Sequence, residues 1–175
     1  MSLFQRTIHF RPFLATALFL GLSLALLSPH PALAQVDWKE SSSPAPERFN
    51  TDKLQLFTVS PRSSMVYGID PDTLSIGTDG VVRYVMVARS TQGALNVLFE
   101  GIRCSTAEVK IYAQWDNRSA WSATREAEWR PLSALGIAHH SVRLARDGVC
   151  DGTTINGNHA QILRDLNRDR IGAPD

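Results

Sequence analysis

The stretch VVRYVMVARSTQGALNVLFEGIRC, Val81 to Cys104, does most to limit what this chain can fold into. It holds two apolar runs of strand length joined by the turn RSTQG, Arg89 to Gly93. Side chains alternate along a strand, so Val82, Tyr84 and Met86 share one face and Val81, Arg83, Val85 and Val87 the other. Both faces are mostly apolar, which places the strand centrally with cover on both sides. Arg83 must then sit near a strand end or carry a partner. Past the turn, Leu95, Val97 and Phe99 compete with Asn96, Leu98, Glu100 and Ile102 for the inner face, and Gly101 marks a bulge position. Asp79-Gly80 is a tight-turn signal. EVKIYAQW, Glu108 to Trp115, alternates Val109, Ile111 and Ala113 against Lys110, Tyr112 and Gln114. These hairpins compose an antiparallel meander.

LQLFTV and MVYGID, closed by Ser60-Pro61 and Pro71, and then LSIG, add shorter strands upstream. Asp116 to Leu132 reads as a polar loop carrying Trp121 and Trp129. Ser133 to Arg146 is loosely helical, with Leu135, Ile137, Val142 and Leu144 its apolar positions. The firmer helix runs from about 157 to 168, with Ala160, Ile162, Leu163 and Leu166 on one side and Asn156 or Asn158 as cap. The expected class is α+β: a meander of about five or six strands, packed by C-terminal helical segments. The domain spans 54–168, followed by a tail over 169–175.

The N-terminus sets the compartment. Arg6 and Arg11 precede the apolar run Phe13 to Leu27, and SPHPALAQ follows. This is the pattern of a secretory signal over 1–34, cleaved after Ala34. The apolar run is 15 residues, short of the roughly 20 a spanning helix needs, so no stable membrane insertion is expected after cleavage. The mature chain is expected to be periplasmic or secreted. Losing Arg6 and Arg11 leaves 16 basic against 17 acidic residues, a balance that gives no pull toward nucleic acid or an anionic membrane. Residues 35–53, rich in serine, proline and charge, read as a flexible lead with Trp38 docking on the domain.

An oxidising compartment and two cysteines, Cys104 and Cys150, make a disulfide the expectation. A catalytic thiol would want a neighbouring histidine and a lowered pKa. His139 and His140 lie about ten residues before Cys150, but nothing in that spacing is diagnostic. Asp165, Asn167 and Asp169 imitate the start of a calcium loop, yet Arg170 stands where the turn glycine belongs and the terminal acid is missing. His139, His140 and His159 suggest zinc only weakly, since adjacent histidines point apart. No metal and no cofactor is expected. There is no GxSxG and no phosphate-binding glycine loop, so no catalytic residues are assigned. Arg83 and Glu100, on neighbouring strands, are expected to form an internal polar network with Arg103. Trp115, Trp121 and Trp129 form the candidate binding surface, because tryptophan is enriched at binding hot spots.

The FTV strand, YGIDPDTLSIGTDGVVRY, ARSTQGALNVLFEGIRC, the KIYA strand, the WRP segment and the cysteine near the end together resemble the CNP1-like family, proteobacterial envelope proteins without an assigned activity. The resemblance covers Leu54 to about Leu166, with a fainter similarity in layout to surface adhesin E type domains. It implies location and fold and supplies no catalytic residue. Family members are often lipid-anchored, whereas Gln35 stands here in place of an acylated cysteine. The functional expectation is a non-catalytic binding or interaction module of the envelope with a protein partner there. The alternatives are an envelope hydrolase or thiol-redox enzyme, or an assembly factor for another envelope protein.

Overall fold

The computed structural model describes residues 37–125, 127–134 and 139–171. The signal-like segment, Leu135, Ile137 and the end of the tail lie outside the described residues. Eight strands form one antiparallel sheet: β1 (Gln55–Phe57), β2 (Met65–Ile69), β3 (Ser75–Ile76), β4 (Val81–Ser90), β5 (Leu95–Arg103), β6 (Glu108–Trp115), β7 (Trp121–Ala123) and β8 (Arg130–Pro131). The spatial order is β1-β2-β4-β5-β6-β7, with β3 also beside β4 and β8 also beside β6. The two strands beyond the expected six are β7 and β8, which have only three and two residues, too few for alternation to register. The segment read as a polar loop thus contributes two strands, with Trp121 paired opposite Trp115.

After the sheet come α1 (His139–Leu144), a π-helical turn over Ala145–Val149, the small ladder of β9 (Cys150–Asp151) and β10 (Thr154–Ile155), and α2 (His159–Ile171). Asn158 begins α2 by accepting the backbone N–H of Gln161 at 3.0 Å. The fold is α+β with one disulfide, Cys104–Cys150, joining the end of β5 to the start of β9.

One face of β4 and β5 packs under the helices. Val82, Tyr84, Met86, Leu98 and Ile102 meet Leu144, Val149, Ile162 and Leu166 there. Gly148 makes that approach close, since a Cβ on it would stand 2.5 Å from Leu166 Cγ.

The opposite face carries Val85, Val87, Val97, Phe99 and Ala113, and it is closed by the segment expected to be a flexible lead. Ala45, Phe49 and Leu54 pack on it. The composition argument for flexibility counted only apolar residues, and the anchoring here is largely polar. Asp79 accepts the Ser41 N–H at 2.8 Å, Asp70 accepts the Asn50 N–H at 2.8 Å, and Arg89 donates to the Thr51 carbonyl at 2.8 Å. An extended segment without its own ladder has its backbone satisfied by side chains of the domain.

The expected clean alternation of β6 also breaks. Glu100 pairs with Ile111 but Phe99 with Ala113, so Tyr112 is bulged out opposite them, one residue from the glycine that suggested a bulge. Val109 and Ile111 face the helices, whereas Tyr112 and Ala113 both join the other layer. Gly101 leaves room for the displaced ring, because a Cβ there would sit 2.9 Å from Tyr112.

Candidate functional site

The structure uses the three tryptophans internally. Trp115 and Trp121 are half-buried and stack edge-on at 5.4 Å, with the Phe49 ring 5.1 Å from the first and 5.4 Å from the second. Trp121 Nε1 donates to the Pro46 carbonyl at 2.9 Å. Trp129 donates to Glu40 at 3.2 Å and meets Trp38 edge-on at 5.9 Å. These rings hold residues 38–49 against the sheet, so the candidate surface of Trp115, Trp121 and Trp129 is covered in part by the chain's own segment. Trp38, at 41% exposure, is the more open ring, and its Nε1 donates to the Asp79 carbonyl.

The expected network of Arg83, Glu100 and Arg103 divides between the two faces. The register sets Tyr84, not Arg83, opposite Glu100, and pairs Arg83 with Gly101. Glu100 therefore points under the helices and the arginines point away, a one-residue difference that alternation turns into opposite faces. Arg83 pairs with Asp79 at 2.7 Å and approaches Glu40 at 3.7 Å. The Arg83 hydrogen bond and those from the Ser41 and Val81 amides outweigh burial and hold the Asp79 carboxyl down at about 2. Arg103 pairs with Glu108 and lies over the Trp38 ring at 4.0 Å and the Trp129 ring at 5.1 Å. Glu40 gathers Lys110 at 2.8 Å, Tyr112 at 2.7 Å and Trp129. Burial pushes the Glu40 carboxyl up, and these hydrogen bonds bring it below its ordinary value.

Under the helices, Glu100 is completely buried and is met by three contacts. Tyr84 donates to it at 3.1 Å, and His140 Nε2 lies 2.9 and 3.1 Å from its two oxygens. Burial, then the facing carboxylate, raises the Tyr84 hydroxyl well above its usual value and keeps it a donor. The His140 ring is 5% exposed and stacks on Tyr67 at 5.9 Å. These two rings line a cavity of about 570 Å³ together with Val59, Ser63, Val142 and Arg143. That is the size of a small-molecule site, with apolar walls and a few polar groups. With Nε2 engaged on Glu100, His140 Nδ1 has no hydrogen-bond partner among the described residues.

The sequence reading missed Tyr67, Tyr84 and His140 as a group. The available signal was Glu100 on a strand covered on both sides, which demanded a buried donor. In the sequence His140 stands out only as a metal ligand or as the partner of a cysteine thiol. Among the described residues no group of three or more acid, histidine or cysteine side chains is placed to hold a metal. His159 Nε2 lies 2.9 Å from the Pro71 carbonyl, and Asp165 is bonded by Asn156, Gln161 and Arg168. Cys104 and Cys150 are joined, so neither is a free thiol.

An eight-stranded antiparallel sheet, helix-covered on one face, strapped by its own N-terminal segment on the other and stapled by one disulfide, defines a small disulfide-bonded α+β domain. The chain belongs to the CNP1-like family, whose model matches residues 33–167. The match covers both the strap and the helices. The chain is also 29% identical over 104 residues to Cryptic neisserial protein 1 of Neisseria gonorrhoeae (strain ATCC 700825 / FA 1090), an alignment covering 49% of this chain and 51% of that protein. The chain thus spans about half the length of this curated relative. No solved structure matches the chain.

Proposed function

We propose that the chain is a non-catalytic binding module exported to the cell envelope, and that the Tyr67–His140 cavity is its binding site. The cavity carries the reading: it brings an aromatic wall and a deeply buried histidine with one uncommitted nitrogen to one concavity. The aromatic layer on the other face is committed to the strap. The N-terminal signal pattern and the disulfide support export. Among the described residues no helix is long and apolar enough to cross a membrane.

A second reading, acyl-transfer catalysis, is favoured by Ser60 and Ser63 sharing this cavity with the His140–Glu100 pair. Both hydroxyls, however, bond to backbone groups of their own turn, Ser60 to Arg62 N and Ser63 to Met65 N and O. A serine nucleophile requires its base within hydrogen-bond reach. Treatment with a fluorophosphonate should leave the protein unlabelled, and covalent labelling of Ser60 or Ser63 would favour the enzyme.

The test of binding is native mass spectrometry of the protein recovered from fractionated cells, alongside Ser63→Trp, which fills the cavity from an exposed position. The expected result is recovery in the envelope fraction with a retained small mass that the variant lacks. Cytoplasmic recovery would contradict export. A bare wild-type mass, or the same retained mass in both proteins, would contradict the site.

A further inference from the structure

We infer that the Tyr67–His140 cavity takes a small, uncharged aromatic alcohol whose hydroxyl bonds His140 Nδ1, an assignment that rests on the binding-module reading above. His140 and Glu100 fix one end of the chemistry. The carboxylate is completely buried and occupies Nε2, so the imidazole meets anything in the cavity through Nδ1. With Nε2–H donated to Glu100, a neutral ring offers an acceptor at Nδ1, and a protonated ring offers a donor. A hydroxyl serves either state, since it both donates and accepts. A carboxylate or an ammonium serves only one.

The remaining charges argue for an uncharged ligand. Arg143 is the permanently cationic wall residue, and it is already held by Asp147 at 3.0 Å and by the Thr58 carbonyl at 3.3 Å, while His139, the other basic side chain of the lining besides His140, is exposed. The Arg143 charge is answered within the chain, so an anion entering the cavity would lose water without gaining a free guanidinium. Glu100 is likewise satisfied by Tyr84 and His140. The walls ask for a ring. Tyr67 already stacks on the imidazole with 20° between planes, and Val59 and Val142 add apolar lining. A cavity of about 570 Å³ admits a substituted single ring.

The test uses the oxidised protein with four probes: phenol, toluene, cyclohexanol and benzoate. The readouts are the imidazole nitrogen resonances of His140 and the ring resonances of Tyr67. Phenol should shift both saturably and bind about tenfold more tightly than toluene, the worth of one hydrogen bond to an otherwise unpaired nitrogen. Cyclohexanol should be weaker than phenol for want of a planar face, and benzoate should not displace phenol. His140→Phe keeps a ring but removes the nitrogen, and should bring phenol down to toluene's affinity. Because that change strips a partner from buried Glu100, Ser63→Trp is run beside it and should abolish both shifts in a protein of unchanged secondary structure. Equal affinities for phenol and toluene, or tighter binding of benzoate, would overturn the ligand class and leave the binding module standing. Shifts that survive Ser63→Trp, or no shift with any probe, would overturn the site for this chemistry. The retained-mass experiment then decides the module reading separately.

Discussion

At the scale of the residue, the buried charges of this domain are answered within the chain by partners divided between the two faces of the sheet. Asp79 illustrates it: its side chain is 1% exposed, it grips Arg83, and the contact keeps its carboxyl at about 2. A carboxyl lowered on folding stabilises above its unfolded value, and the stabilisation is lost as pH falls through the folded one. For Asp79 the window is from about 4 down to about 2, and Glu40, also lowered, adds to the same limb. Asp79→Asn should cost on the order of 3 kcal/mol at pH 7, because it leaves a buried arginine half-answered. The gap from wild type should close across that pH window in urea titrations, and a gap that persists to pH 2 would contradict the pairing. The sequence announced that Arg83 and Glu100 needed partners. Which partners depended on register, since a shift of one position exchanges the faces, and a five-residue turn does not fix register. His140 was illegible for a related reason, because its contact to Glu100 spans 40 residues.

At the scale of the element, legibility followed length and pattern. β4 and β5, with ten and nine residues, stood out because both of their faces are apolar, and α2 was marked by its Asn158 cap and its Ile162 and Leu166 stripe. β7 and β8 are stabilised by β6 beside them rather than by their own composition, so nothing local revealed them. Residues 35–53 suggest a flexible lead because they are rich in serine, proline and charge, whereas the anchors of the strap over 37–53 are Glu40, Phe49 and single backbone amides meeting distant side chains. Two element-level outcomes are expected. Ile162→Ala, beneath the fully buried core of α2, should cost about 2–4 kcal/mol in denaturant unfolding. Phe49→Ala should cost less, about 1–3 kcal/mol for a half-buried ring, and should raise acrylamide quenching of tryptophan fluorescence by opening Trp115 and Trp121. Unchanged quenching would show that the strap does not cover them.

At the scale of the whole molecule, one sheet is enclosed by two non-adjacent parts of the chain and locked by a single covalent link. Cys104 and Cys150 are 46 positions apart, and closing a loop of that size is worth about 4 kcal/mol in the chain-entropy model. The paired change Cys104→Ser with Cys150→Ser should lower stability by about that amount while leaving secondary structure intact at low temperature, as read by circular dichroism. The enclosure also determines where the molecule is open. With one face strapped, the aromatic residues pack against the strap, and the concavity beside Tyr67 and His140 is the site proposed above. The direct measurement is amide hydrogen exchange of the oxidised protein, followed at Ser41 and Asn50, whose N–H groups donate to Asp79 and Asp70. Both amides should exchange about a hundredfold more slowly than in an unfolded chain, and Asp79→Asn should release Ser41 first. Exchange at unfolded-chain rates in the wild type would show the strap to be detached, returning Trp115, Trp121 and Trp129 to an open surface and contradicting the enclosure from which the site was derived.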